Sequence, residues 1–224
     1  MGFSDHAPYE FADEHAHGKR MTSSEAYQYI DDIKNIRDKY KDKIEIKIGF
    51  EMEYYPYKFP KMLEFVKRLG AEYLILGQHY KEGIFTGGHH VISGTTSPEL
   101  LRNYVSEIIS AMESGFFTYV AHPDMIKFDG DSRLYEKEMR RLCIASKRTG
   151  IPLEINCQGI RDKRIYPSER FWAIAGEVGC PVTIGFDAHS PQDAYDKDVI
   201  CEAKRLIGKY NLCYIRKPTI KPIV

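Results

Sequence analysis

The chain has 224 residues, enough for one compact domain with a substantial core and marginal for two. Its 32 basic and 32 acidic residues cancel, so neither a basic bias nor a polybasic block points to nucleic acid or a membrane surface as partner. No apolar run reaches bilayer length, no basic segment followed by an apolar one marks a signal peptide, and five cysteines without C-x-x-C spacing argue for reduced thiols in a cytoplasmic protein rather than a disulfide framework or structural zinc finger.

In chain order, Gly2-Phe-Ser4 reads as the tail of a strand. Thr22 followed three residues later by Glu25 has the spacing of a capping box and opens a helix over residues 23–41. Residues 44–50 read as a strand, and 59–69 as a helix stopped by Gly70. The cycle then repeats. Strands are expected over 73–76, 117–121, 153–156 and 182–186. Helices are expected over 97–114, 132–149, 168–178 and 192–207, each followed by glycine. An apolar run over 212–215 precedes a proline-containing tail. Alternating strands and helices imply an α/β fold with a parallel sheet, either open and doubly wound or closed into a barrel. Periodicity does not choose between them.

The residues that follow the strands carry the chemistry. They are Ser4-Asp5-His6, Glu51-Met52-Glu53, Gln78 and His79, His122-Pro123-Asp124, Asn156, and Asp187-Ala188-His189. A parallel barrel gathers strand ends around one mouth, whereas an open sheet concentrates its site at one switch point. Imidazole nitrogen and carboxylate oxygen together form the ligand set of zinc, manganese and iron, and carboxylates can bridge two ions. A lone histidine is usually structural; the recurrence at one end of the sheet favours a metal site.

These segments, with Gly2-Phe-Ser-Asp-His-Ala-Pro8, Gly49-Phe-Glu-Met-Glu-Tyr54, Leu76-Gly-Gln-His-Tyr80, Ala121-His-Pro-Asp124, Leu153-Glu-Ile-Asn156 and Gly185-Phe-Asp-Ala-His189 in order, resemble the PHP (polymerase and histidinol phosphatase) family, most closely its monofunctional histidinol-phosphatase branch. The resemblance covers almost the whole chain as a single domain, residues 1–224. It implies a distorted seven-stranded β/α barrel with two or three divalent ions (Zn, Mn or Fe). It matches Glu51 to a bridging carboxylate, His79 and His122 to ligands of the second metal, Asp187 to a ligand of the first, and His6 and His189 to ligands of the third. Glu53 is left outside the set as facing away. The family opens with a His-x-His strand that has no counterpart at this position here. The first strand and helix are therefore expected to be missing, with incomplete metal occupancy as a consequence.

Other candidates are weaker. His15-Ala16-His17 has the His-x-His spelling but reads as a solvated loop. His89 and His90 follow two glycines in a loop over the mouth or on the surface. Arg20 reads as exposed. Tyr54, Tyr55, Tyr57 and Tyr80 suit packing more than substrate stacking, and Cys157 reads as an apolar filler. Arg161, just after the Leu-Glu-Ile-Asn strand, matches an arginine of the histidinol-phosphatase branch and suits a phosphate clamp.

The implied activity is hydrolysis of L-histidinol phosphate to L-histidinol and phosphate in histidine biosynthesis. Arg161 would steady phosphate charge, and Asp187 or His189 would pass a proton to the leaving alkoxide. The alternatives are a phosphoesterase of the same family acting on another phosphorylated metabolite or a nucleotide, and a truncated barrel with little activity. In the last case an open sheet edge would invite pairing with another chain, a route to a homo-oligomer.

Overall fold

The computed structural model describes residues 1–9, 20–81 and 89–223, without the side chains of Lys81 and His89. His15 and His17 lie outside the described residues. In chain order the elements are β1 (Gly2–His6), α1 (Ser23–Tyr40), β2 (Lys47–Met52), α2 (Phe59–Leu69), β3 (Tyr73–Leu76), β4 (Tyr80–Lys81), β5 (His89–His90), α3 (Pro98–Ser114), β6 (Phe117–Val120), α4 (Ser132–Thr149), β7 (Leu153–Asn156), α5 (Cys157–Arg161), α6 (Glu169–Val178), β8 (Pro181–Gly185), α7 (Lys197–Lys209) and β9 (Cys213–Tyr214). Seven strands form one parallel sheet in the order β1-β2-β3-β6-β7-β8-β9, and β4 pairs antiparallel with β5. Among the described residues β1 and β9 are the sheet's two edges. No helix is long and apolar enough to cross a membrane.

Local chemistry explains most boundaries. Thr22 and Glu25 form the full capping box at the start of α1. Asp131 and Asp196 cap α4 and α7 through their side chains, and Gly70, Gly115, Gly150 and Gly179 close α2, α3, α4 and α6. Ser97 accepts from the Leu100 N–H at 3.3 Å, with Pro98 in the first turn of α3. Ser97→Ala is expected to cost about 1 kcal/mol of stability through loss of that cap, read as a shift in the urea midpoint with unchanged slope.

Three boundaries differ from the sequence expectation. β2 extends to Met52, which puts Glu51 inside the strand instead of after it. The helix expected over 192–207 is broken: residues Pro191–Ala194 form a 3-10 turn, and Asp196 starts a new helix by accepting from the Asp198 and Val199 N–H groups at 3.0 and 3.1 Å. The new helix runs one residue past Gly208, to Lys209. The short α5 and the β4–β5 pair had no periodic signal to reveal them.

Alternation along the strands separates two faces. Ile48, Phe50, Met52, Leu74 and Leu76 join the main core together with Met62, Val66, Leu101 and Trp172. Tyr73, Ile75 and Ala121 form a second, smaller cluster, packed by Tyr119 and by Ile220 of the C-terminal tail. The tail returns across the sheet. Lys217 pairs with Glu45 at 3.6 Å, and the Lys221 N–H donates to Thr118 at 3.2 Å. Polar side chains collect at the C-terminal ends of the strands.

Candidate metal centre

Glu51 is the centre of the site. It is buried, and Gly77 lies so close that a Cβ there would run into its carboxylate. Glu51 Oε1 is 3.2 Å from His122 Nε2 and 3.4 Å from His79 Nε2, while Oε2 is 3.7 Å from His6 Nδ1. The His79 ring stands edge-on between His6 and His122, with centroids 5.0 and 4.9 Å away. Three consecutive strand ends and the end of β6 thus converge on one carboxylate. His6, Glu51 and His79 each offer a ligand atom within 4.8 Å of the others.

The electrostatics follow from burial and crowding. Burial opposes ionisation of Glu51, but His79, His122 and His6 outweigh it and hold the carboxyl well below its usual range. For His122, burial works against the charged form; Glu51, Asp187 and Glu154 outweigh it and pull the imidazole up to about 9. His6 is lowered, chiefly by burial. Glu51 Oε1, His6 Nδ1 and His122 Nδ1 are buried without a hydrogen-bond partner, an arrangement that costs stability unless something compensates. Convergent lone pairs of imidazole and carboxylate fit a divalent cation, which would take over the charge balance supplied by a proton on His122 and release that proton.

β7 and β8 supply the supporting side. Glu154 Oε2 accepts from the His122 N–H and from Asn156 Nδ2, both at 2.9 Å, and the same Asn156 nitrogen donates to Asp187 Oδ2 at 2.8 Å. Burial pushes the Glu154 carboxyl up to about 7. Asn156 Oδ1 also accepts from the Gly159 N–H and so starts α5. His122 and Asp187 adopt φ of 31° and 46° at their strand ends. Such left-handed backbone costs a non-glycine residue about 1–3 kcal/mol and collects at functional sites.

His189 and Arg161 stand apart from the Glu51 cluster. His189 Nδ1 lies 3.4 Å from Asp187 Oδ1 and 3.1 Å from Gln158 Nε2, with the side chain 59% exposed. Arg161 donates to the Asp193 carbonyl at 3.1 Å, and its Nε lies 3.4 Å from Asp193 Oδ1. Asp193 Oδ2 accepts from the His189 N–H at 3.2 Å, so the two residues share one loop. The structure therefore joins His6, Glu51, His79 and His122 directly, links Asp187 to them through Asn156 and Glu154, and leaves His189 and Arg161 at the exposed side.

Two expectations are corrected. Arg20 is buried, not exposed, with Nη2 2.9 Å from Glu53 Oε2. Glu53 does not face away: it is fully buried, and its Oε1 accepts from the His79 N–H at 3.2 Å. An interval of two residues keeps the face of an extended segment, and that spacing from Glu51 was the signal to follow. Burial would raise the Glu53 carboxyl, but Arg20 and His79 hold it at about 2. Tyr9 and Tyr55 both donate to Glu53 Oε2, at 3.0 and 2.6 Å. Of the remaining tyrosines, Tyr54 packs on Phe59 and Phe117, Tyr57 is exposed, and Tyr80 meets His90 edge-on at 4.7 Å. His90 Nδ1 accepts from the Ile92 N–H at 3.3 Å, and its ring lies 6.4 Å from that of His79, on the mouth side. Cys157 is a buried thiol, as expected of a filler.

Residues 1–158 match the PHP domain. The chain belongs to the PHP domain family. A curated relative from Schizosaccharomyces pombe (strain 972 / ATCC 24843), named a probable histidinol-phosphatase, is 26% identical over 194 aligned residues, covering 73% of this chain. This PHP chain spans about 60% of the length of that relative. Among solved structures, a protein of Listeria monocytogenes provisionally named histidinol phosphatase hisK superposes with a TM-score of 0.70 at 20% identity, covering 88% of this chain and 86% of that one. Histidinol phosphate phosphatase (HISK) of Lactococcus lactis subsp. lactis Il1403, solved with Zn, L-histidinol and phosphate, gives 0.67 at 19% identity, covering 96% and 82%. These likenesses place the PHP chain in the fold of both structures.

Proposed function

We propose that this PHP chain is a metal-dependent phosphomonoester hydrolase whose substrate is L-histidinol phosphate, cleaved to L-histidinol and phosphate in histidine biosynthesis, a cytoplasmic role. The observation that carries this reading is the Glu51 carboxylate set between His79 and His122 on one oxygen and His6 on the other. A carboxylate so flanked suits the bridge of a centre with two or three ions of Zn, Mn or Fe. The names of the relatives, and the zinc, L-histidinol and phosphate held by the Lactococcus lactis protein, support the substrate. We read the curled sheet as a PHP barrel without full closure. The tail contacts that link the region after β9 to Glu45 and Thr118 support that curl.

Divalent ions, when bound, supply Lewis acidity that activates water and offsets phosphate charge. The chain's own residues do the rest. His6, Glu51, His79, His122 and Asp187 hold the ions, with His189 completing the set from the exposed side. Asp187, fixed by Asn156, or His189 beside it passes a proton to the leaving alkoxide. Arg161 turns from Asp193 to the phosphate oxygens as charge grows. Arg161→Ala is expected to lower kcat/KM on the phosphomonoester about 100-fold while leaving metal content unchanged; an unaltered kcat/KM would remove it from the site.

Phosphate release from L-histidinol phosphate, compared with other phosphomonoesters under one set of conditions, tests the substrate. A marked preference for histidinol phosphate is expected. Equal, slow rates on every ester would contradict a dedicated histidinol phosphatase and favour another phosphorylated metabolite.

A further inference from the structure

Glu53 lies behind the cluster, on the side of His79 away from Glu51. Its Oε1 accepts from the His79 N–H at 3.2 Å and stands 3.4 Å from His79 Nδ1. The other ring nitrogen, Nε2, faces Glu51 Oε1 at 3.4 Å. One histidine is thus held between two carboxylates that address its two nitrogens separately. Glu53 is in turn immobilised. Arg20 Nη2 approaches Oε2 at 2.9 Å, the Tyr9 and Tyr55 hydroxyls donate to the same oxygen, and the Arg20 guanidinium lies over the Tyr9 ring at 4.7 Å. All of these groups are buried. A purely structural ion pair does not require the partner oxygen to be aimed at a ring nitrogen.

We propose that Glu53 is a positioning residue: its carboxylate, locked by Arg20, Tyr9 and Tyr55, takes the Nδ1 proton of His79 in a hydrogen bond and so presents Nε2 as the metal-binding atom. The physical basis is general. A ligating imidazole is oriented, fixed in tautomer and made more basic by the group that accepts from its other nitrogen. The cage also links the segments on either side of residues 10–19 to the metal centre, because Tyr9 and Arg20 both end on Glu53. The proposal rests on the reading of His79 as a metal ligand, and its test separates the two.

Zinc chloride is titrated calorimetrically into the full metal-stripped chain for the wild type, Glu53→Gln, His79→Ala and the double variant. Glu53→Gln is expected to weaken zinc binding about 10- to 100-fold. His79→Ala should weaken it at least as much, and adding Glu53→Gln to His79→Ala should change nothing further, since the effect travels through His79. In the zinc-loaded wild type, nitrogen NMR of the His79 ring should show a proton on Nδ1 and zinc on Nε2. Should Glu53→Gln fail to fold with Arg20 left uncompensated, the pair Arg20→Gln with Glu53→Gln removes both charges and takes its place. A wild type that binds no zinc overturns the metal reading and the proposal together. Zinc binding insensitive to His79→Ala overturns the role of His79. Binding that depends on His79 but not on Glu53, or zinc on Nδ1, overturns the role of Glu53 alone.

Discussion

His122→Ala is expected to abolish measurable turnover and to lower metal content, while the chain keeps its fold. The imidazole is only 3% exposed, and its Nε2 is the nitrogen nearest to Glu51, at 3.2 Å. Removing it leaves Oε1 with His79 alone and strips the site of the group that carries positive charge beside the carboxylate. The backbone anchor survives, because the His122 N–H that reaches Glu154 belongs to the peptide. The damage is therefore local to the centre. The fall in kcat should be at least about 100-fold, the upper end of the loss when only a supporting partner of a metal ligand is removed. His189→Ala gives the contrast. With its ring 59% exposed and no contact to Glu51, its loss should cost about 10-fold, the lower end of that range. Phosphate-release kinetics and elemental analysis on the same preparations read both effects. Full activity in His122→Ala would remove that residue from the centre.

Gly77→Ala is expected to be nearly as harmful, by a different route. Gly77 follows β3 directly, and its missing side chain is what allows the Glu51 carboxylate to cross the strand end; an added Cβ meets the carboxylate oxygen, Cδ and Cγ of Glu51. The added methyl group should cost about 1–3 kcal/mol as overpacking, which a domain of this size tolerates. The carboxylate, however, has to move. A displacement of about 1 Å in a reacting centre can cost about 100-fold in rate, and that is the expected loss. Gly70→Ala is the control: φ is 86° there and nothing lies within 4 Å, so strain of about 1–2 kcal/mol should appear in stability with no change in rate. Thermal melts set against kcat for the pair separate the two kinds of glycine. If Gly77→Ala keeps wild-type kcat, the crowding at Glu51 has no bearing on activity.

Much of this architecture was legible in the sequence. The strand-then-helix rhythm, the Thr22–Glu25 box and the glycine stops placed β3, α4 and β7 at their observed limits, because local capping and alternation decide those boundaries. The cluster of His6, Glu51, His79 and His122 followed from their recurrence at one end of a parallel sheet, and the structure brings these four together. What escaped was set by contacts distant in sequence. Arg20 looked like a surface residue because nothing local tells that a carboxylate 33 positions away will bury it. Glu53 was visible in principle, two residues from Glu51, and was lost by misjudging the face of the strand. The break at Asp196 was hidden by a helical pattern running through it, where one aspartate accepting two N–H groups outweighs periodicity. The placing of Arg161 on Asp193 is likewise a matter of how α5 meets the 3-10 turn, which no single segment encodes.

The central claim is that Glu51 and its histidines hold divalent metal for phosphoester cleavage, and elemental analysis of the purified full chain tests it most directly. The account expects about two or more divalent ions per chain, as a bridging carboxylate requires, and fewer in His122→Ala. Less than about one ion per wild-type chain, after incubation with zinc or manganese salts and removal of the excess, would contradict a centre bridged by Glu51.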